Sequence, residues 1–362
     1  MKIAIVGAGI VGSTAAYYLS KEKDVEVTVF DHGLGQATKA AAGIISPWFS
    51  KRRNKAWYRM ARLGADFYQD LVSDLENDGY DTSFYDQSGV ALLKKDDSKL
   101  DGLYQHAETR LEESPIIGEL SIKNVADLPE FTGFNRYLYA SGGARVEGAE
   151  LTATLIEASG FEKVEGLVTL SPLDNGTYEI NGQTFDKVIL ACGAWLGQTL
   201  EPLGFDVDVR PQKGQLRDYF FEGMDTGRLP VLMPEGELDV IPFAGGKISV
   251  GASHENDQGF DLTVDESVLA SLEEEAKTYF PDLSTAKSFS ERVGTRAYTS
   301  DFSPFFGEVP ELEGVFVASG LGSSGLTTGP LIGKNLVELA MNRPGSLDSS
   351  DYPVSQYVKK KD

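Results

Sequence analysis

Cysteine is nearly absent from this chain: Cys192 is the only one in 362 residues, so no internal disulfide forms. Histidine is scarce too, at three, and none stands with the cysteine at a zinc-binding spacing. Both shortages point to a reduced, cytoplasmic protein without a structural metal. Long apolar runs are lacking. No stretch approaches the about 18 residues of a membrane span, and the first apolar run, from Ile3, passes into glycines instead of a cleavage site. Positive charge is the last shortage: 33 Lys and Arg stand against 55 Asp and Glu, a net charge of -22. Such a field repels phosphate backbones and anionic lipid, so nucleic acid and membrane are excluded as expected partners. The terminal Lys359, Lys360 and Lys361 read as a solvated end.

What is present is ordinary globular composition, 41% hydrophobic and 24% charged, over a length of roughly two domains. The most informative block comes first. Ile3-Ala4-Ile5-Val6 is a buried-strand run, Gly7-Ala8-Gly9-Ile10-Val11-Gly12 opens a helical pattern through Leu19, and a second strand ends at Asp31. A strand, glycine turn, helix and strand, with an acid about 20 residues beyond the glycines, is the fingerprint of a dinucleotide site. Gly7 permits the tight turn, Gly9 lets backbone approach a pyrophosphate, and Gly12 lets the helix lie close on the sheet. Asp31 is placed to accept hydrogen bonds from ribose hydroxyls.

Further along, an apolar stripe at helical spacing through Trp57, Met60, Ala61, Gly64, Phe67, Tyr68 and Leu71 predicts a long helix with a core face. The charged residues 97–113 predict another. Residues 84–93, 187–191 and 209–221 read as strands, and Gly245-Gly246 joins two more in a hairpin. Thr263 with Glu266 predicts a capping box for a helix stopped by Pro281. Strand-rich stretches alternate with α/β stretches, so two domains interleaved in sequence are expected.

Several segments carry a resemblance. Ala37-Thr38-Lys39-Ala40-Ala41-Ala42-Gly43-Ile44-Ile45-Ser46-Pro47 resembles the stretch that follows the second strand in flavoenzymes of the D-amino acid oxidase and glycine oxidase family. Gly142-Gly143-Ala144-Arg145-Val146-Glu147-Gly148, Ala191-Cys192-Gly193-Ala194-Trp195, Pro211-Gln212-Lys213-Gly214-Gln215 and Gly294-Thr295-Arg296 are similar to that family's later motifs, in the same order, as are residues 301–307 and 317–330. The resemblance implies an α/β fold: a Rossmann-like FAD-binding domain interleaved with an α+β substrate domain built on a mainly antiparallel sheet. The FAD domain takes residues 1–82, 141–212 and 293–362, and the substrate domain 83–140 and 213–292. It also implies non-covalent FAD, with Gly7, Gly9, Gly12, Ile10 and Val11 at the pyrophosphate and Asp31 and His32 at the ribose. Ala37, Thr38, Ala42, Gly43, Ile44 and Gly193 then follow the cofactor, Leu167 lies near the adenine, and Leu321, Gly322, Ser323, Ser324, Gly325, Leu326 and Thr327 meet the isoalloxazine ring.

The chemistry implied is oxidation of a small amine or amino acid (a D-amino acid, glycine or an N-methyl amino acid) to an imine by hydride transfer to flavin N5, followed by hydrolysis. Arg296 is the expected carboxylate anchor, since a planar guanidinium holds a carboxylate through two hydrogen bonds. Asp239 stands where glycine oxidases often offer a tyrosine. It repels a carboxylate unless it pairs with Arg296 or meets the amine, and it alternatively recognises a cationic or polar side chain. Leu321 replaces a histidine common among relatives. Cys192 reads as a packed thiol and His254, just after the Ser249 to Ser253 strand, as a solvated loop residue, with a place near substrate as the alternative. Oxidation of a 2-hydroxy acid, and a flavin module without amine oxidase activity, are the alternatives. Oxygen and quinone both stay open as electron acceptor, as does a homo-oligomeric state.

Overall fold

Alternation along the strand Lys2–Val6 sets the architecture. Ile3 and Ile5 enter one buried cluster while Ala4 and Val6 enter another, the pattern of a strand covered on both faces. The computed structural model, which describes residues 1–361, places this strand inside a six-stranded sheet. Its order is Phe305–Glu308, Val315–Ser319, Lys187–Leu190, Lys2–Val6, Glu26–Asp31, Glu162–Glu165. Neighbours run parallel except at the antiparallel Phe305–Glu308 edge. Helices Ile10–Leu19, Gly148–Ser159 and Gly325–Ala340 bury Val11, Leu155 and Leu336 with Ile3 and Ile5. On the other face, the small sheet Leu170–Pro172, Tyr178–Ile180, Gln183–Phe185 meets Ala4 and Val6. This is a Rossmann-like α/β layer arrangement.

The chain leaves this sheet and returns to it repeatedly, and the intervening residues build an eight-stranded sheet. Its order is Ser288–Tyr298, Arg210–Phe220, Lys247–Gly251, Asp239–Phe243, Val231–Met233, Val90–Leu92, Arg136–Ala140, Leu120–Asn124. All its pairs are antiparallel but one, Val231–Met233 with Val90–Leu92. Tyr219, Val240, Ile248 and Val250 bury one face of it with Ala276 and Phe280. The opposite face, by the two-residue period of a strand, carries Asp239 and Ile241.

Two helix boundaries differ from expectation. The charged helix runs only Ser98–Glu108. The later helix is Glu266–Lys277, capped by Asp265, whose carboxylate accepts from the amides of Ser267 and Val268. Thr263 does not cap it, because its hydroxyl bonds Asp261 instead. A carboxylate one residue before the helix is the stronger local acceptor.

Candidate functional site

Two helix starts, a guanidinium and a half-buried carboxylate converge on one cavity of about 770 Å³, a size usual for cofactor and ligand sites. The first wall is the turn after Lys2–Val6. Gly7 has φ +100°, and a side chain there would strike the carbonyl oxygen of Ala191. At Gly12 it would strike the Gly7 carbonyl, so both glycines serve internal contacts. Gly9 differs: a Cβ would meet only Thr38 Oγ1, at 3.4 Å, and Gly9 lines the cavity. Thr38 Oγ1 accepts from the Ile10 amide at 3.0 Å. Asp31, at the end of the second strand, accepts from the Ala8 amide at 3.1 Å and from Gln36 Nε2 at 2.7 Å.

The second wall begins with a short turn, Gly322–Ser324, that leads into the helix Gly325–Ala340. Ser324 occupies its N-cap without a side-chain hydrogen bond, which leaves the positive helix end uncapped beside the cavity. The Ser323 amide donates to Tyr298 Oη at 3.1 Å and Tyr68 Oη donates to the Leu326 carbonyl at 2.7 Å, fixing the turn from two sides.

Arg296 projects from Ser288–Tyr298. Its Nη1 donates to the Ser253 carbonyl at 2.8 Å, with Gln212 Oε1 at 3.5 Å. Among the described residues it forms no salt bridge, and burial draws its pKa down. Asp239 lines the same cavity, and burial alone pushes its carboxyl up to about 8. The expected alternative of an Asp239–Arg296 pair is not realised: Arg296 donates to a carbonyl, and the Asp239 carboxylate accepts no hydrogen bond among the described residues. His254 follows the alternative reading, not that of a solvated residue. It is half-buried on the cavity wall, with Nδ1 3.6 Å from Glu237 Oε2, and burial followed by the Arg296 charge lowers its pKa. Cys192 is a packed thiol, its pKa raised to about 12 by burial.

Of the residues expected at the site, Gly12 alone lies off the cavity wall, where close helix–sheet contact explains its presence. Leu167 stands at the rim, 73% exposed. Other lining residues were not assigned to the site from sequence, among them Trp57, Gly214, Gln36 and Met233. Trp57 belongs to the helical stripe and faces both core and cavity. Gly214, a glycine inside a long strand, signalled a close approach. Gln36 and Met233 carried no local signal.

The FAD dependent oxidoreductase family (DAO) matches residues 2–339. YurR, an oxidoreductase of Bacillus subtilis, is 38% identical over 96% of this chain and 97% of its own. A glycine oxidase of Pseudomonas aeruginosa is 29% identical over 97% and 98%. Among solved structures, iminodiacetate oxidase from Chelativorans sp. BNC1 superposes with a TM-score of 0.91 at 30% identity, covering 97% of this chain and 98% of that one. The cavity fits the cofactor of that family: Gly9 leaves open the volume a side chain would fill, two helix starts supply backbone donors for an anion, and Asp31 closes the second strand. This chain belongs to the DAO family of FAD-dependent oxidoreductases.

Proposed function

We propose that the protein oxidises a small amine or amino acid, of the D-amino acid, glycine or N-methyl amino acid class, to an imine that water then hydrolyses. One observation carries the reading: Arg296, a cation with no carboxylate partner among the described residues, lines the same cavity as the glycine turns. Bound FAD supplies the hydride acceptor. The chain's residues do the rest. Arg296 holds the substrate carboxylate and so fixes the α-carbon. An ammonium cannot release a hydride from its neighbouring carbon until nitrogen has given up a proton, and Asp239 Oδ takes up that proton once it has ionised, on a rise in pH through about 8. The uncapped start of Gly325–Ala340 offers backbone N–H groups to charge developing at that end of the cavity.

We further assign residues 1–82, 141–212 and 293–362 to cofactor binding and 83–140 and 213–292 to substrate binding. FAD is held without a covalent bond, in keeping with the buried, high-pKa Cys192. The test is anaerobic mixing of the holoenzyme with D-amino acids, glycine, N-methyl amino acids and 2-hydroxy acids, followed by admission of oxygen or a quinone. Flavin bleaching by the amines supports the reading. Bleaching by hydroxy acids alone replaces it with the 2-hydroxy acid alternative, and peroxide formation identifies oxygen as the acceptor.

A further inference from the structure

In a chain of net charge -22, four cations stand within five positions: Lys51, Arg52, Arg53 and Lys55. All are exposed, and none forms a salt bridge among the described residues, although 55 acidic residues are available. The segment is bracketed by the cavity, because Ser50 on one side and Trp57 on the other both line it. Arg52 lies 4.6 Å from the ring centroid of Trp57. Trp57 is 8% exposed, and its Nε1–H is buried with no hydrogen-bond partner among the described residues.

The placement also runs against what helix stability favours. Lys55 opens the 23-residue helix Lys55–Asn77, whose first turn holds no acid. The positive end of a helix dipole prefers anionic side chains, and here it is flanked by cations instead. Helix end and side chains therefore add to one positive field at the cavity edge, while the rest of the surface repels anions. Deeper in, Arg296 and His254 are accompanied by Glu237, which opposes any anion lacking an ammonium group.

We propose that Lys51, Arg52 and Arg53 steer amine substrates of net negative charge, those bearing a second carboxylate, into the cavity, whose wall the segment adjoins through Ser50 and Trp57. The inference rests on the amine-oxidising reading and names its substrate class. A zwitterion of net charge zero gains little from such a field, whereas an amine with two carboxylates gains in association rate and affinity.

The test uses two amino acids without an α-hydrogen, so that binding is read without turnover. These are 2-methylaspartate, of net charge -1 by its chemistry, and zwitterionic 2-aminoisobutyrate; each is titrated into the holoenzyme and followed by the flavin absorbance. The variant K51Q/R52Q/R53Q is expected to weaken 2-methylaspartate by about tenfold and to flatten the salt dependence of its association rate, with less than about a twofold change for 2-aminoisobutyrate. K23Q/K287Q/K359Q, which removes equal charge from exposed positions off the cavity wall, is expected to change neither. Equal weakening of both ligands, an equal effect of the second variant, no effect, or no binding of 2-methylaspartate overturns the proposal. Failure of every amine to bleach the flavin, with salt-dependent 2-methylaspartate binding intact, rejects the amine reading and leaves the steering field standing.

Discussion

The guanidinium of Arg296 occupies the space that a side chain at Gly214 would take: a Cβ there would strike Nη1 and stand 2.6 Å from Cζ and 2.7 Å from Nη2. The two residues lie on adjacent antiparallel strands, with Gln212 opposite Arg296 and Gly214 opposite Gly294. Glycine at 214 thus lets the arginine cross its neighbour strand to reach the Ser253 carbonyl. Gly214→Ala displaces the mobile end of one side chain and no backbone, so the fold is expected to survive with a small change in Tm. Substrate binding is not. Truncating one partner of a buried charge pair costs about 2 to 5 kcal/mol, and the lower figure is roughly a thirtyfold loss. Arg296→Met is expected to lose at least that in kcat/KM for a carboxylated amine, and Gly214→Ala to follow in the same direction through KM. A Gly214→Ala enzyme with unaltered KM removes Arg296 from the carboxylate site.

Gly7 and Gly9 belong to one motif but answer to different constraints. Gly7 has φ +100° and a backbone carbonyl in the way of any side chain, so Gly7→Ala is expected to destabilise the apoprotein. At Gly9 the nearest obstacle is Thr38 Oγ1 at 3.4 Å, and Gly9→Ala should leave apoprotein stability nearly unchanged. Its methyl instead intrudes on the cofactor. Overpacking of about 1 to 3 kcal/mol raises the FAD Kd by roughly 5- to 150-fold. Flavin titration of both apoproteins beside their thermal melts checks this. An FAD affinity in Gly9→Ala equal to wild type rejects contact between Gly9 and the pyrophosphate.

Arg292 joins the two sheets' territories. Its Nη1 donates to the Ala41 carbonyl at 3.0 Å and the Lys39 carbonyl at 3.3 Å, while Nη2 reaches Asp218 at 2.8 Å and Ser249 at 3.0 Å. Asp218 is 4% exposed. Arg292→Met leaves that carboxylate with Ser249 and the more distant Lys247, an imbalance worth about 3 to 5 kcal/mol of stability. It also frees residues 37–43, most of which line the cavity. A lower apoprotein Tm together with faster FAD release is the expected result. A drop in Tm with unchanged FAD release would confine Arg292 to stability.

What was legible in the sequence follows from how local each signal is. The turn from Lys2 to Asp31 reads directly because strand, glycines, helix and acid succeed one another within a single unit. Arg296 was reached through resemblance, since nothing about an isolated arginine separates an anchor from a surface ion pair. The Thr263 cap misled because an S/T-x-x-E pattern is silent about Asp261, which takes the hydroxyl, and about Asp265, which caps better. Gln36 was beyond local reading, and local pattern left the place of His254 open between solvent and substrate. Each gains its position from a segment distant in sequence: His254 beside Arg296 and Glu237, and Gln36 from the bridge to Thr295 that holds residues 35–36 against the long strand.

Asp239 joins stability and activity through one proton. Burial raises its carboxyl from the ordinary 3.8 to about 8, so between those values the folded protein keeps a proton that the unfolded chain has released. The folded state then binds more protons, and stability attributable to this group falls as pH rises through that window. Asp239→Asn cannot ionise and escapes the loss. Its Tm is expected to match wild type near pH 4 and to exceed it increasingly toward pH 8.5, a gain in stability from removing a functional group. Activity is expected to move the opposite way. If Asp239 Oδ takes the amine proton, wild-type kcat/KM rises with pH through a midpoint of about 8 to a plateau above it, while Asp239→Asn loses that limb and follows the ionisation of the free amine. A kcat/KM profile unchanged by Asp239→Asn, alongside the expected Tm pattern, leaves Asp239 a buried acid without a part in proton transfer.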